Sequence, residues 1–538
     1  MQEENILHGP PVSIPEFKNL SIGQLILNQL NVHSSWVAQV NAYTGKKQTF
    51  KEILDISRKL AIAIDKEGLK KGDHIAICSE NNTEFCIPVC AALYLGVTVC
   101  PLNPLYTEME LKHALNITKP KYIFASAIGA PNMLKVLPQL LWLPKIIMLT
   151  DSSDNKMPSI KSLTLDIATD NNFCARLIDV KDHVSVISYS SGTTGLPKGV
   201  MLTNKNFLSM IRHFAFASPE IVNTNAVTLA LLPFFHAYSF SVLLVRLVFG
   251  NQSVILSRFE EKIFLHTIQK YRIEHITVVP PLMVFLAKHP IVDKYDLSSI
   301  KHIWCGAAPL SEEIAKIAAK RLNVQSIKQG YGLTETTLAV INSPNNSNIK
   351  YGSVGKLGPG ISAKVIPFDK DEPSRNLGPN NIGELCFKGD LIMKGYYKDE
   401  KATAATIDKD GWLHSGDVGY YDEEGYFYIV DRLKELIKYK GFQVPPAELE
   451  AILLACPGVK DAAVIGLPHE EAGELPAAFI VKQEGSNITA EDINKYVNER
   501  VSCHKRLRGG IKFVENIPKT ASGKILRRIL RDTFKSKL

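Results

Sequence analysis

VSVISYSSGTTGLPKG, Val184 to Gly199, joins an apolar, strand-like run to a stretch of glycines, hydroxyls and a single lysine. The VSVISYS portion reads as a buried strand, and the loop leaving its carboxyl end lies where open α/β sheets place ligands. Gly192 and Gly195 let main-chain N–H groups turn inward on an anion. Ser190, Ser191, Thr193 and Thr194 add donors, and Lys198 supplies a point charge. The stretch predicts a polyphosphate cradle at a sheet edge. It is not a Walker A loop, because the sixth position counted from Gly192 is Pro197, where that loop requires glycine.

On both sides of this stretch, strand-like runs alternate with helical periodicities. HIAIC, YIFAS, KIIML, HITVV and HIWCG are separated by helical segments such as 49–66 and 311–321. The alternation predicts an α/β architecture with largely parallel sheets over the first 340 residues. Between about 349 and 430, short strands cut by Gly and Pro turns, as in KYGSVGKLGPG and GELCFKGD, predict a small β-rich subdomain. GPGISA in this region matches GxGxxA but opens a strand-like AKVIPF, so it is not read as a dinucleotide site. After Asp431 the pattern becomes α+β. The expected organisation is a large domain, residues 1–431, of two α/β subdomains plus the β-rich one, followed by a small α+β domain, residues 432–538.

At 538 residues the chain is too long for one core. Its 9 cysteines include no CxxC pair and suggest reduced, buried thiols. Glu3 and Glu4 stand where a secretory signal would be basic and then apolar, so no signal peptide is expected. The apolar stretches 85–102 and 226–250 are interrupted by Pro88, Pro101, Pro233, His236 and Arg246 and read as core, with no transmembrane segment. Net charge is +8, and residues 504–538 alone carry a surplus of +9. No interleaved aromatics or nucleic-acid motif accompany that surplus, so anionic small molecules are the expected partners. Ser536-Lys537-Leu538 reads as a peroxisomal address recognised by an import receptor.

Four further constellations follow the opening loop. PFFHAYSF sets His236 in an aromatic stretch. QGYGLTETT sets Tyr331, a flat partner for a purine, beside Thr334 and Glu335, a hydroxyl and a hard carboxylate suited to Mg²⁺. GWLHSGDVGYYDEEGYFYIVDR supplies Asp417 for a ribose diol and Arg432. PKTASGK presents Lys524 on a Gly-containing loop.

Taken jointly, these residues resemble the adenylate-forming superfamily of acyl-CoA synthetases, coumarate CoA ligases and beetle luciferases, over roughly residues 48–528. The resemblance implies a large amino-terminal domain and a small mobile carboxyl-terminal domain with ATP between them. Ser190 to Lys198 would wrap the pyrophosphate end. Gly306, Ala307 and Ala308, with Gln329, Gly330, Tyr331 and Gly332, would cradle adenine. Thr334 would touch the α-phosphate, Glu335 would hold Mg²⁺, and Asp417 would bind ribose with Arg432 nearby. Lys524 would bridge the substrate carboxylate and the α-phosphate during adenylation. Rotation about Lys434 would then bring in a face bearing Lys438, Tyr439 and Gly441 for CoA. His236, Tyr238, Phe240 and Leu338 would line the acyl pocket, favouring a fatty or aryl acid.

The same resemblance admits a luciferase, which makes an adenylate and then adds oxygen to it. LIKYKG and AGELPAA are spelled as in the insect luciferase branch, and Lys438 matches a lysine luciferases use in oxidation. Two departures favour the thioester. Leu338 stands where beetle luciferases carry serine, and their arginine-bearing segment reads here as HFAFASPE. A serine hydrolase is disfavoured by the absence of GxSxG.

Overall fold

The structure is a computed structural model that describes residues 4–12, 20–151, 157–190, 197–325, 327–345, 349–368, 375–440, 442–520 and 523–535. Three sheets build the large domain. A seven-stranded sheet runs, edge to edge, through Gly395–Tyr396, Lys198–Thr203, Val184–Ser190, Thr98–Leu102, His74–Cys78, Tyr122–Ala125 and Lys145–Met148. Its five strands from Val184–Ser190 onward are mutually parallel, as the βα alternation predicts. Lys198–Thr203 instead returns antiparallel, with Ser190 opposite Lys198. The two ends of the quoted stretch are thus partners in one hairpin ladder.

A nine-stranded sheet has a parallel centre that includes Val227–Ala230, His275–Val278, His302–Cys305 and Ile327–Gly332. One of its remaining strands, Val37–Asn41, is parallel to Gln252–Ile255, a partner about two hundred residues away in sequence. The region read as β-rich is a five-stranded antiparallel sheet comprising Leu7–His8, Ser362–Ile366, Gly383–Lys388, Leu413–Tyr421 and Phe427–Arg432.

Side-chain alternation explains the layering. Ile75, Ile77 and Val99 face a central core, while Ala76, Cys78 and Cys100 face the helices Glu108–Thr118 and Ala130–Val136 on the opposite side. The central core also receives the inner face of the nine-stranded sheet and the helices Cys86–Leu95 and Ala237–Phe249. Every residue of Cys86–Leu95 is buried, so it is apolar all round because it has no solvent face. No helix among the described residues is long and apolar enough to cross a membrane. The other face of the nine-stranded sheet packs on the helices Glu261–Tyr271, Pro280–Lys288 and Glu312–Leu322.

The small carboxyl-terminal domain has its own core around Ile437, Leu449, Val464 and Ile480, built on the antiparallel pair Val459–His469 and Gly473–Lys482. Asp431 joins the domains. One of its carboxylate oxygens accepts from Ala447 N at 2.8 Å, at the start of helix Pro446–Ala455, and the other accepts from Arg432 N at 2.7 Å. Of the cysteines, all nine are free thiols and seven are buried.

Candidate active site

A cavity of about 880 Å³, mouth included, opens at the carboxyl ends of the parallel strands His275–Val278, His302–Cys305 and Ile327–Gly332, the position expected of a ligand site in such sheets. Thr277, Trp304, Gly306 and Ala307 line one part of it, and Gly330, Gly332, Leu333, Thr334, Thr337, Leu338, Ala339 and Asn342 contribute a second. His236, Ala237 and Tyr238, at the start of helix Ala237–Phe249, contribute another, and Lys524 enters from the small domain.

Backbone geometry around this cavity is unusual. Ala307 and Thr337 adopt left-handed φ values of 73° and 63°, uncommon for non-glycine residues and costly for a β-branched one. Thr337 is held there by Oγ1 donating to Leu391 O at 2.8 Å and by its carbonyl accepting from Ser241 Oγ at 3.2 Å. Gly332 is required for a different reason, because a Cβ there would lie 2.0 Å from Leu338 O. The close approach folds the TETT segment over the cavity.

His236 caps its helix. Its Nδ1 accepts from Tyr238 N at 3.4 Å, which leaves Nε2 to carry the ring proton. Burial, reinforced by the nearby Lys524 charge, pushes its pKa down to about 4. The imidazole is therefore neutral at physiological pH. Lys524 sits in a tight turn in which Lys524 N donates to Thr520 Oγ1 at 3.1 Å and Thr520 N donates to Lys524 O at 2.8 Å. Gly523, at φ +83°, packs that turn against Pro281 and Val279 of the large domain. Burial lowers the Lys524 pKa to about 8, with Arg432 adding to the shift and Asp417 and Glu335 opposing it. Three residues on, Arg527 Nη2 makes a bidentate pair with buried Glu450 at 2.7 and 2.8 Å, anchoring the turn to its own domain.

Asp417 is 4% exposed. Its Oδ2 accepts from Tyr331 Oη at 2.6 Å, and its Oδ1 lies 3.2 Å from Arg432 Nε. That contact lacks hydrogen-bond geometry, so Oδ1 is a buried acceptor without a hydrogen-bond donor among the described residues. Burial pushes the carboxyl pKa up, while Arg432 and Tyr331 hold it down. An incoming hydroxyl is what such an oxygen lacks. Glu335 accepts from Tyr396 Oη on Oε1 at 2.8 Å. Its Oε2 has no hydrogen bond among the described residues, and a single free carboxylate oxygen could hold a hard cation such as Mg²⁺. Lys198 lies over the Tyr396 ring at 5.0 Å, so the end of the opening stretch meets the Glu335 site.

The structure thus brings together His236, Tyr238, Gly306, Ala307, Gly330, Gly332, Thr334, Leu338 and Lys524 on one cavity, with the Asp417, Arg432 and Glu335 charges close enough to act on Lys524. Ala308 follows Ala307 just off the lining, and Ser190 is buried at the end of its strand. Gln329 is buried, its Nε2 donating to Ser353 O at 3.2 Å. Tyr331, expected as a purine partner, is likewise buried and gives its hydroxyl to Asp417. Phe240 corrects the expectation for the acyl wall. One turn into its helix it points into the core, 6.3 Å from Phe207 in an edge contact, and does not line the cavity.

Lys434 and Lys438 lie apart from the cavity, on a shallow groove with Glu474, while Tyr439 is buried in the small domain's core. Ser191, Gly192, Thr193, Thr194, Gly195, Gly441 and the terminal Ser536-Lys537-Leu538 lie outside the described residues. Sequence reading missed His213, Phe214, Ala217 and Ser218 as wall residues. All four fall in HFAFASPE, a segment read only for its lack of arginine. Trp304 was placed in a strand without its side chain being assigned to the cavity, and Tyr396 carried no signal beyond its residue type.

The AMP-binding enzyme family matches residues 27–397, and the AMP-binding enzyme C-terminal domain matches residues 448–524. The chain is 42% identical to luciferin 4-monooxygenase of Photuris pensylvanica, over 100% of each chain. It is 38% identical to probable 4-coumarate–CoA ligase 1 of Dictyostelium discoideum, over 98% of this chain and 97% of the relative. Among solved structures, ATP-bound MatB from Rhodopseudomonas palustris superposes with a TM-score of 0.85 at 25% identity, over 96% of this chain and 100% of MatB. The chain therefore belongs to the AMP-binding enzymes, the adenylate-forming superfamily, and is an ATP-dependent enzyme with that superfamily's large and small domains.

Proposed function

We propose that this enzyme is an AMP-forming acid–thiol ligase that converts a fatty or aryl carboxylic acid to its acyl adenylate and then to its CoA thioester. The observation that carries the reading is Lys524, an ammonium from the small domain entering a largely apolar cavity that also holds His236 and Thr334.

The substrate carboxylate attacks the α-phosphorus of ATP; the new bond is acyl oxygen to phosphorus, and pyrophosphate leaves. Two anions must meet. Lys524 bridges them, and at about 3 Å and an effective dielectric near 20 one such contact is worth roughly 5 kcal/mol before desolvation. Neutral His236 offers its Nε2 proton to the carboxylate without adding a charge. Thr334 donates to the α-phosphate, and Asp417 Oδ1 accepts from the ribose. The 190–198 stretch clamps pyrophosphate, with Gly306, Ala308 and the 329–332 strand end beside the adenine. Glu335 holds Mg²⁺, which neutralises phosphate charge when bound. For the second step the CoA thiol attacks the acyl carbonyl and AMP leaves. The small domain turns about Lys434 so that Lys524 withdraws and the segment bearing exposed Lys438, with Tyr439 packed behind it and Gly441 following in sequence, comes to the site, the basic 504–538 region attracting the nucleotide phosphates of CoA.

Tyr238, Leu338, Phe214 and Trp304 make the acyl end apolar, which supports a fatty or aryl acid over a small polar one. A luciferase reading has one specific support, the 42% identity to luciferin 4-monooxygenase. Against it stand Leu338 on the cavity wall and a lining that includes no arginine among the described residues. Incubation with ATP, Mg²⁺, CoA and acids of graded length or coumarate-like acids, read by mass spectrometry, should yield acyl-CoA. Photon counting with luciferin, ATP, Mg²⁺ and air should yield no sustained emission. Light without any thioester would replace this reading with the luciferase. We further propose peroxisomal import through Ser536-Lys537-Leu538; a fluorescent fusion retaining that tail should become punctate, and deleting the tripeptide should leave it diffuse.

A further inference from the structure

On the antiparallel sheet of the large domain, three potential metal ligands converge away from the cavity. Glu384 and Cys386 lie two apart on strand Gly383–Lys388, so they share a face, and His414 is the register partner of Cys386 on strand Leu413–Tyr421. His414 Nδ1 lies 3.6 Å from Cys386 Sγ and 3.3 Å from Glu384 Oε2, and all three ligand atoms fall within 4.8 Å of one another.

Those separations have a chemical meaning. With zinc–nitrogen and zinc–oxygen bonds of about 2.0 Å and a zinc–sulfur bond of about 2.3 Å, a tetrahedral ion sets N···O edges of about 3.3 Å and N···S edges of about 3.5 Å, close to the separations here. The outer contacts fit as well. His414 Nε2 lies 3.5 Å from Asp408 Oδ2, the arrangement in which a carboxylate orients a metal-bound imidazole. Glu384 Oε1 is already occupied, accepting from Gly416 N at 3.0 Å, which leaves Oε2 for a single bond to a cation. Lys364, the register partner of Cys386 on the neighbouring strand, lies over the Trp412 ring at 4.6 Å.

A second cluster, Glu220 with His275 and His302, lacks this geometry. Its two imidazoles are stacked face to face at 4.6 Å and 11°, which does not aim their in-plane lone pairs at one point, and Lys328 Nζ already sits 3.2 Å from Glu220.

We propose that Glu384, Cys386 and His414 bind one divalent cation of the zinc class, with Asp408 supporting His414 from behind. Binding forms metal–sulfur, metal–nitrogen and metal–oxygen bonds and releases the thiol proton and the Nδ1 proton to solvent; nothing is oxidised or reduced. The ion is structural in position. It clamps Leu413–Tyr421 to Gly383–Lys388 three residues before Asp417, whose loop Glu384 already holds through Gly416.

Titration of the full chain with Co²⁺, in the absence of ATP and Mg²⁺, tests the site through the thiolate-to-metal absorption band, which a carboxylate-only site cannot produce. The expected result is a band saturating at one equivalent and reversed by excess Zn²⁺. It should be lost in Cys386→Ser and retained when the exposed Cys174 and Cys503 are replaced by serine. Asp408→Asn, which leaves all three ligands in place, should weaken binding about 10- to 100-fold. No band, a band that survives Cys386→Ser, a band lost with Cys503→Ser, or unchanged affinity in Asp408→Asn overturns the proposal.

Discussion

Lys524 is poised by opposing influences: burial and Arg432 push its pKa down to about 8, while Asp417 and Glu335 hold it up. The sign for catalysis follows directly. The ammonium is present below that pKa and lost as pH rises through it. The kcat/KM for pyrophosphate exchange, which reports the free enzyme, should fall above about pH 8. Between pH 5.5 and 7.5 His236 should contribute no limb, because it stays neutral above about 4. Lys524→Arg should move the alkaline limb upward while lowering the maximum; a limb that stays in place assigns it to another group. In the proposed acyl pocket, Trp304 should govern a different property. It lines the cavity beside Phe214, with ring centroids 6.4 Å apart. Trp304→Ala should shift the kcat/KM optimum toward bulkier acids without a comparable change in KM for ATP, measurable across an acid series.

Among elements, helix Asn204–Ala217 contributes three residues to the cavity wall, since its last turns deliver His213, Phe214 and Ala217. Thr203 and Asn206 begin it with a reciprocal capping box. Asn206 Nδ2 also donates to Asp390 O and Ile392 O at 2.8 and 2.9 Å, next to Met393, whose N donates to Glu335 O. Asn206→Ala removes the cap's partner and leaves two carbonyls without that donor, so it should cost about 2–3 kcal/mol in urea denaturation. A loss below about 0.5 kcal/mol would show that water replaces these bonds. The element scale is also where sequence reading was strongest and where it stopped. The strands HIAIC, YIFAS and HITVV and the helical segments 49–66 and 311–321 are legible because their apolar periodicity is local. The return of Lys198–Thr203 against Val184–Ser190 is not, because an apolar run does not encode the direction of its partner. Val37–Asn41 gives no local sign of pairing with Gln252–Ile255.

For the whole molecule, the proposed chemistry depends on what the small domain presents. The described arrangement places Lys524 in the cavity and keeps Lys438 on a separate groove, the disposition that the proposed adenylation step needs and the proposed thioester step does not. Lys434 is exposed, two residues beyond Arg432. Lys434→Pro restricts the backbone at the proposed pivot and should spare one half-reaction while impairing the other; equal rates for both would place the pivot elsewhere. His236, Glu335, Asp417 and Lys524 were legible from motif spelling as candidates, and the structure brings them around one cavity. Their partners were not. Tyr396 beneath Lys198 and the HFAFASPE wall reach the site only through tertiary packing, and Phe240 was misplaced because helix positions two apart, such as Tyr238 and Phe240, point about 200° apart around the axis. The most direct measurement uses Lys524→Ala with both half-reactions assayed separately. Pyrophosphate exchange should slow at least about a hundredfold, the cost of a lost positioned charge, while thioester formation from supplied acyl adenylate and CoA stays near wild type; equal loss of both would contradict the account.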